Sequence, residues 1–249
     1  MINRKIERIE RINADTATIR FYWDREVKPG QFIMVWVPGV GEIPISVSHT
    51  GNLKGITIKA YGPTSRAMID LHEGDRIFFR GPYGKPFTLA KGKRLIVGAG
   101  SGMASLLPVI DQESFGIIAA RTKKDLLFTD LFQESRRILV TDDGSAGIKG
   151  IAVDAFDLVD LDQFDMIYVC GPELMMKSIY DYLKHRPVKA QFSLERLMKC
   201  GIGICDSCSI GGKQLCRDGP TFSIKEIEEM EEFGKSRVTE SGRRVMIGK

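Results

Sequence analysis

Histidine is scarce in this chain, with only His49, His72 and His185 among 249 residues. None sits in a metal or nucleophile constellation with the others, and no Ser-His-Asp or Cys-His signature occurs, so triad-type hydrolysis is excluded. Long apolar runs are missing, so no stretch approaches the ~20 residues of a membrane-spanning helix. The opening Met1-Ile2-Asn3-Arg4-Lys5 leads into charged residues rather than an apolar signal core. A soluble, cytoplasmic chain is expected. Charge of one sign is missing too: 36 Lys+Arg against 32 Asp+Glu leave a net +4. Aromatics are not interleaved with Lys and Arg, so no nucleic-acid partner is expected. Internal repeats and low-complexity tracts are absent. At 43% hydrophobic and 27% charged, the composition is that of a folded protein.

Cysteine is also sparse, but its placement is not random. Four of the five lie at Cys200, Cys205, Cys208 and Cys216, spaced C-x4-C-x2-C-x7-C. Three close thiolates and a fourth further on is the plant-type spacing for a [2Fe-2S] cluster. Gly201 and Gly203 allow the positive φ values that a tight ligand loop needs, and let backbone N–H groups approach the sulfurs. A structural four-cysteine zinc site uses the same ligands, although zinc ribbons more often carry two C-x2-C knuckles and this chain has one. Paired disulfides are disfavoured, because nothing marks the chain as secreted.

The rest of the chain divides by pattern. Residues 1–88 show short β-branched and aromatic runs between turn signals, which predict an antiparallel β-barrel, with one short helix from Thr64 to Leu71 capped by Thr64. Residues 89–190 alternate strands and helices, which predicts an α/β domain with a parallel sheet. Helices are expected at Leu126–Glu134, Val153–Val159 and Glu173–Lys184. Residues 191–222 form the cysteine module. The 223–249 tail is expected to be a solvated acidic helix followed by a frayed basic end. The fold class is therefore α+β and multi-domain.

Gly98-Ala99-Gly100-Ser101-Gly102 lies between a strand and a helix, where backbone N–H groups can meet phosphates. Its third glycine comes one position too early for the Rossmann fingerprint, and a helix-packing turn is the plain alternative. Cys170-Gly171-Pro172 follows another strand; Cys170 is either a small buried hydrophobe or a contact for a nicotinamide ring. Thr141-Asp142-Asp143-Gly144 ends a third strand and is equally ordinary turn chemistry. Arg121, Lys123 and Lys124 follow the second strand and could meet a ribose 2′-phosphate, so NAD and NADP are not distinguished. In the barrel, Pro44-Ile45-Ser46 and Gly62-Pro63-Thr64-Ser65 offer hydroxyls and N–H groups near strand ends, which alone is β-turn chemistry.

The order of barrel, nucleotide sheet and cysteine module resembles the ferredoxin-reductase superfamily. Phe192-Ser193-Leu194-Glu195, Met198 and the Cys200–Cys208 run, with Cys216-x-Asp218-Gly219-Pro220, are similar to the electron-transfer subunits of two-subunit, NAD-dependent dihydroorotate dehydrogenases. So is Thr141-Asp142-Asp143-Gly144-Ser145-x-Gly147-x-x-Gly150. The resemblance covers residues 1 to about 222. It implies FAD, a [2Fe-2S] cluster, and NAD(H) or NADP(H) as substrate. It implies an FMN-containing dihydroorotate dehydrogenase catalytic subunit as partner, two of each chain, in pyrimidine biosynthesis. FAD would be held by Ile43, Pro44, Ile45, Ser46, Thr57, Ile58, Lys59, Gly62, Thr64 and Ser65. The nicotinamide nucleotide would be held by Gly98 to Gly102 and Cys170 to Pro172, with Cys170 as the catalytic contact. The family's Arg-Pro-x-Ser has Ile43 in place of its arginine here, so Lys59 or Arg66 is expected to neutralise the FAD pyrophosphate. Two other readings stay open. The same module could serve a ferredoxin:NADP reductase, sulfide dehydrogenase or hydrogenase complex, or the chain could be a non-redox binding protein with structural zinc.

Overall fold

Two seven-stranded sheets stand side by side, and β4 belongs to the cores of both. The computed structural model describes residues 1–248. The first sheet contains β1 (Ile2–Lys5), β2 (Arg8–Asn13), β3 (Thr16–Tyr22), β4 (Phe32–Val37), β5 (Gly41–His49), β6 (Leu53–Lys59) and β7 (Arg76–Tyr83). Its order is β1-β7-β4-β5-β6-β3-β2, with every pair antiparallel. It curls into a half-barrel around Ala17, Ile19 and Phe21 of β3, Ile33 and Val35 of β4, and Ile56 and Ile58 of β6. That is period-two alternation with one face dry. The other face of β4 carries Phe32 and Met34, which pack into the second core. A strand buried on both faces explains the unbroken apolar run there.

Helix α1 (Pro63–Ile69) follows β6. Its N-cap is Gly62 rather than the expected Thr64. The Ser65 hydroxyl accepts from the N–H groups of Tyr61 and Gly62, each at 2.9 Å, so the hydroxyl that closes this turn lies inside the helix.

The second half supplies β8 (Arg94–Ala99), α2 (Gly102–Leu106), β9 (Phe115–Ala120), β10 (Arg137–Thr141), β11 (Ile148–Lys149), β12 (Met166–Cys170), α3 (Glu173–Leu183) and β13 (Ala190–Ser193). The cysteine segment follows, with β14 (Ser209–Ile210), β15 (Lys213–Gln214) and α4 (Leu215–Asp218). Then come β16 (Thr221–Ser223), α5 (Ile224–Glu228), β17 (Ser236–Val238) and β18 (Arg244–Met246). The second sheet runs β11-β10-β9-β8-β12-β13-β16. Its strands are parallel except β16, which pairs antiparallel with β13. The chain therefore leaves the sheet, makes the cysteine loop, and returns to the same edge.

Three expectations are corrected. The segment Leu126–Glu134 is not a helix but short 3-10 turns, because Phe128 sits at φ 60, which a continuous helix cannot accommodate. Residues 152–158 form a 3-10 turn, with the Asp154 carboxylate accepting from Ile151 N–H at 2.8 Å. The tail is not frayed. Ser223 and Glu226 make a reciprocal capping box that starts α5. Ile227, Met230 and Phe233 are all buried in the second core, and β17–β18 form a hairpin after them. The hairpin is bolted down by a nearly buried ion pair. Arg196 binds both carboxylate oxygens of Glu173, one at 2.6 Å, and Glu173 also accepts from Gly234 N–H at 2.8 Å. Among the described residues no helix is long and apolar enough to cross a membrane.

Candidate redox site

The cysteine loop is shaped by backbone conformations that few residues tolerate. Gly201 and Gly203 have φ of 72° and 77°. A Cβ on Gly201 would meet Met34 Cγ at 2.8 Å, so the loop also lies hard against β4. In this conformation the N–H groups of Ile202, Ile204 and Cys205 point at Cys200 Sγ, at 3.4–3.5 Å. Gly203 N–H points at Cys216 Sγ, at 3.1 Å. Donors aimed at sulfur stabilise thiolate, whether free or bound to iron.

The four thiols fall into two neighbouring pairs, Cys200 with Cys205 and Cys208 with Cys216. Burial is the strongest single influence on Cys200 and opposes ionisation. The N–H groups of Cys205, Ile202 and Ile204 together outweigh it and bring the thiol down to about 6. Cys205 is also lowered, first by the Ser207 hydroxyl. Cys216 is pushed up to about 12, by burial first and then by Cys208. Among the described residues no three His, Cys, Asp or Glu side chains gather as a metal-ion group. Four cysteines are the number of donors a two-iron centre takes, two to each iron. The pairs lie at different depths: Cys208 and Cys216 are buried, whereas Cys205, Ile202 and Ile204 are exposed.

A cavity of about 380 Å³ lies between the half-barrel and the second sheet. All ten barrel residues singled out from the sequence line it: Ile43, Pro44, Ile45, Ser46, Thr57, Ile58, Lys59, Gly62, Thr64 and Ser65. The opposite wall is Ser101, Ala104, Ser105 and the 193–196 segment. A hydrogen bond from Ser105 Oγ to Ser46 Oγ, at 3.0 Å, ties the two walls together. The Thr57 hydroxyl is occupied inside the barrel by Thr18 and Ser48, at 2.8 and 3.0 Å. Lys59 is the cation on the barrel wall, mostly buried, 3.6 Å from Asp15 and 3.5 Å from Asp125. Arg66 is exposed and does not line the cavity. A largely apolar cleft lined by hydroxyls and one ammonium has the kind of lining that a flavin nucleotide takes.

In the second sheet the loops after β8, β9, β10 and β12 share the carboxyl edge. β8 lies in the middle, and the chain runs from it first to β9 and β10, later to β12 and β13. Gly98–Gly102 and Cys170–Pro172 therefore flank the point where the winding reverses, where such sheets bind nucleotides. The glycines differ in use. A Cβ on Gly98 would strike Met103, and one on Gly102 would sit 2.5 Å from the Cys170 carbonyl oxygen. These two are packing glycines. Gly100, at φ 52°, has open space around it. Arg121, Lys123 and Lys124 are exposed. The Asp143 carboxylate is spent on its own turn, accepting from Ser145 N–H at 2.9 Å and Ser145 Oγ at 2.6 Å.

Gly171 and Pro172 border a second cavity of about 720 Å³, roofed by the β17–β18 hairpin. Glu195, Arg196 and Glu240 border both cavities. Glu195 is an exposed residue reached from both, and desolvation between the cavity walls raises its carboxyl pKa. Cys170 lies one side chain behind the first cavity, beside Ser105 and Ser193, with no exposed surface. Burial pushes its thiol up to about 12, so it is not a thiolate.

The sequence pattern described as the iron-sulfur cluster binding domain of dihydroorotate dehydrogenase B matches residues 195–228. Over 247 residues, 99% of each chain, this sequence is 51% identical to a Thermoplasma volcanium protein named "probable dihydroorotate dehydrogenase B (NAD(+)), electron transfer subunit". A Thermoplasma acidophilum protein of the same name is 53% identical over 230 residues, 92% of each chain. The chain belongs to the dihydroorotate dehydrogenase B electron-transfer subunit family. Among solved structures it is similar to the NADH-dependent reduced ferredoxin-NADP oxidoreductase. The TM-score is 0.79 and the identity 29%, covering 94% of this chain and 93% of that one. For a member of the dihydroorotate dehydrogenase B family, the β17–β18 hairpin lies beyond the matched cluster segment.

Sequence reasoning missed Arg80, Ser105, Arg196 and Glu240. Arg80, Ser105 and Arg196 reach partners across long stretches of chain, and Glu240 is brought in through its backbone carbonyl, which accepts from Lys199. Glu195 and Ser193 were visible only as letters of the cluster signature, with no role attached.

Proposed function

We propose that this chain carries electrons between a nicotinamide nucleotide and an iron–sulfur centre through FAD. In this reading it is the electron-transfer subunit of a dihydroorotate dehydrogenase in pyrimidine biosynthesis. The observation that carries the proposal is contiguity. The cysteine loop packs on Met34 of β4, whose cross-strand neighbour Pro44 lines the cavity between the two sheets. When bound, FAD takes electrons in pairs and the cluster takes them singly, which is what joins hydride chemistry to one-electron flow.

The chain's own residues position these groups. Cys200, Cys205, Cys208 and Cys216 hold the irons, with N–H groups of 202–205 directed at the sulfurs. Ile43 to Ser46 and Thr57 to Lys59 seat the flavin against β5 and β6, and Gly62, Thr64 and Ser65 close the cavity. Lys59 meets the phosphates in place of the missing arginine at position 43. Gly98 to Gly102, with Gly171 and Pro172, receive the nucleotide at the winding reversal. Cys170 acts as a neutral, apolar backstop behind this site and neither attacks nor moves a proton. Residues 1–88 serve as the flavin half, 89–190 as the nucleotide half, and 191–222 as the cluster module. The exposed Ile202 and Ile204 are the apolar side chains of the loop that meet the catalytic partner, an FMN-bearing subunit present in two copies with two of this chain.

The test is reconstitution. The chain reduced by NADH without oxygen should lose its flavin and cluster absorbance, yet should not oxidise dihydroorotate until the catalytic subunit is added. Dihydroorotate oxidation by the chain alone would overturn the assignment. The likeness to the NADH-dependent ferredoxin-NADP oxidoreductase keeps a second reading in play, the same module in such a complex. The identity of the chain that co-purifies with it separates the two.

A further inference from the structure

We infer that Arg80, held by Glu42, sets the reduction potential of the cluster bound by Cys200 to Cys216 and fixes its position relative to the flavin. The inference rests on the proposed assignment of those cysteines as iron ligands. Arg80 lies on β7 and reaches across 120 residues of sequence to the loop. Its guanidinium donates to the carbonyl oxygen of Cys200, and to that of Lys199 at 3.3 Å. The opposite edge is gripped by both oxygens of Glu42, at 2.8 and 2.7 Å. The Tyr83 ring centre is 5.8 Å from the guanidinium carbon. The Arg80 and Glu42 side chains are 25% and 23% exposed, so solvent screens them only in part. Five donors in a rigid plane can serve two carbonyls and a carboxylate at once, and a lysine cannot.

The position is as specific as the contacts. Met34 lies opposite Arg80 on one side and opposite Pro44 on the other. The cavity wall and Arg80 are thus two strand spacings apart, about 10 Å. The loop touches the sheet at this same place, at Gly201 on Met34.

A fixed cation beside a centre that gains negative charge on reduction favours the reduced form. Glu42, on the far side of the guanidinium, partly offsets it. Loss of the two charges must therefore move the potential in opposite directions. A purely mechanical bolt would loosen the cluster in both variants alike.

The experiment uses the anaerobic holoprotein carrying R80Q, R80K or E42Q. The ratio of reduced to oxidised cluster is read by electron paramagnetic resonance at fixed ambient potentials, alongside iron and sulfide content. R80Q should shift that ratio at least about threefold toward oxidised, about 30 mV at 59 mV per tenfold. E42Q should shift it toward reduced, and R80K should fall between wild type and R80Q. Shifts in the same direction, or none, overturn the inference. If R80Q cannot hold the cluster, E42Q decides: a shift toward reduced upholds the inference, and no shift or the reverse defeats it. Wild type lacking sulfide would instead remove the ligand assignment beneath it, a different and separately visible failure.

Discussion

Cys170 shows how burial decides what a side chain can do. Its strand-end position suits contact with a nicotinamide, but a thiol pushed up to about 12 is protonated throughout the physiological range. Iodoacetamide at pH 8 should leave Cys170 unlabelled in the folded holoprotein, as read by peptide mass spectrometry. C170S should keep flavin reduction by NADH within a few-fold of wild type; a loss of a hundredfold or more would restore a catalytic role. Glu195 makes a different point: it is an exposed residue on the wall of both cavities, and desolvation there raises its carboxyl pKa.

Element by element, the chain is most readable where chemistry demands a fixed residue at a fixed distance. The cysteine spacing implies its loop because four thiolates and two glycines have few other reasons to recur so closely. The parallel strands β8, β9, β10 and β12 are legible because strands buried on both faces are nearly all apolar. β1 and β2 are not, since Ile2-Asn3-Arg4-Lys5 and Arg8–Asn13 carry charges outward and gain their strand character from partners far along the chain. The β17–β18 hairpin was unreadable for a related reason. Its anchor is Glu173 with Arg196, two residues that look like surface charges until the fold encloses them. Their side chains are only 13% and 6% exposed. E173A leaves that guanidinium buried without its counter-charge, held only by the carbonyls of Glu195 and Ser236, and should cost about 3–5 kcal/mol in a denaturant melt. Limited proteolysis should then cut within residues 236–246, where wild type resists. Equal protection in the variant would mean that the hairpin is held by something else.

At the scale of the molecule, one layout recurs: each redox group would sit against β4 or β5 of the first sheet, and β4 packs into the cores of both sheets. The interface itself was not legible in the sequence, because Ser46–Ser105, Lys59–Asp125 and Arg80–Cys200 join residues 59, 66 and 120 positions apart. The barrel residues that line the cavity were named one by one from a resemblance, and only the fold shows that they share a wall. The account depends on the four cysteines holding an iron–sulfur pair rather than a lone ion. The measurement that bears on it most directly is metal, sulfide and flavin content in anaerobically purified protein. Iron matched by equal acid-labile sulfide, together with one flavin per chain, is the expected result. Zinc without sulfide would contradict the account.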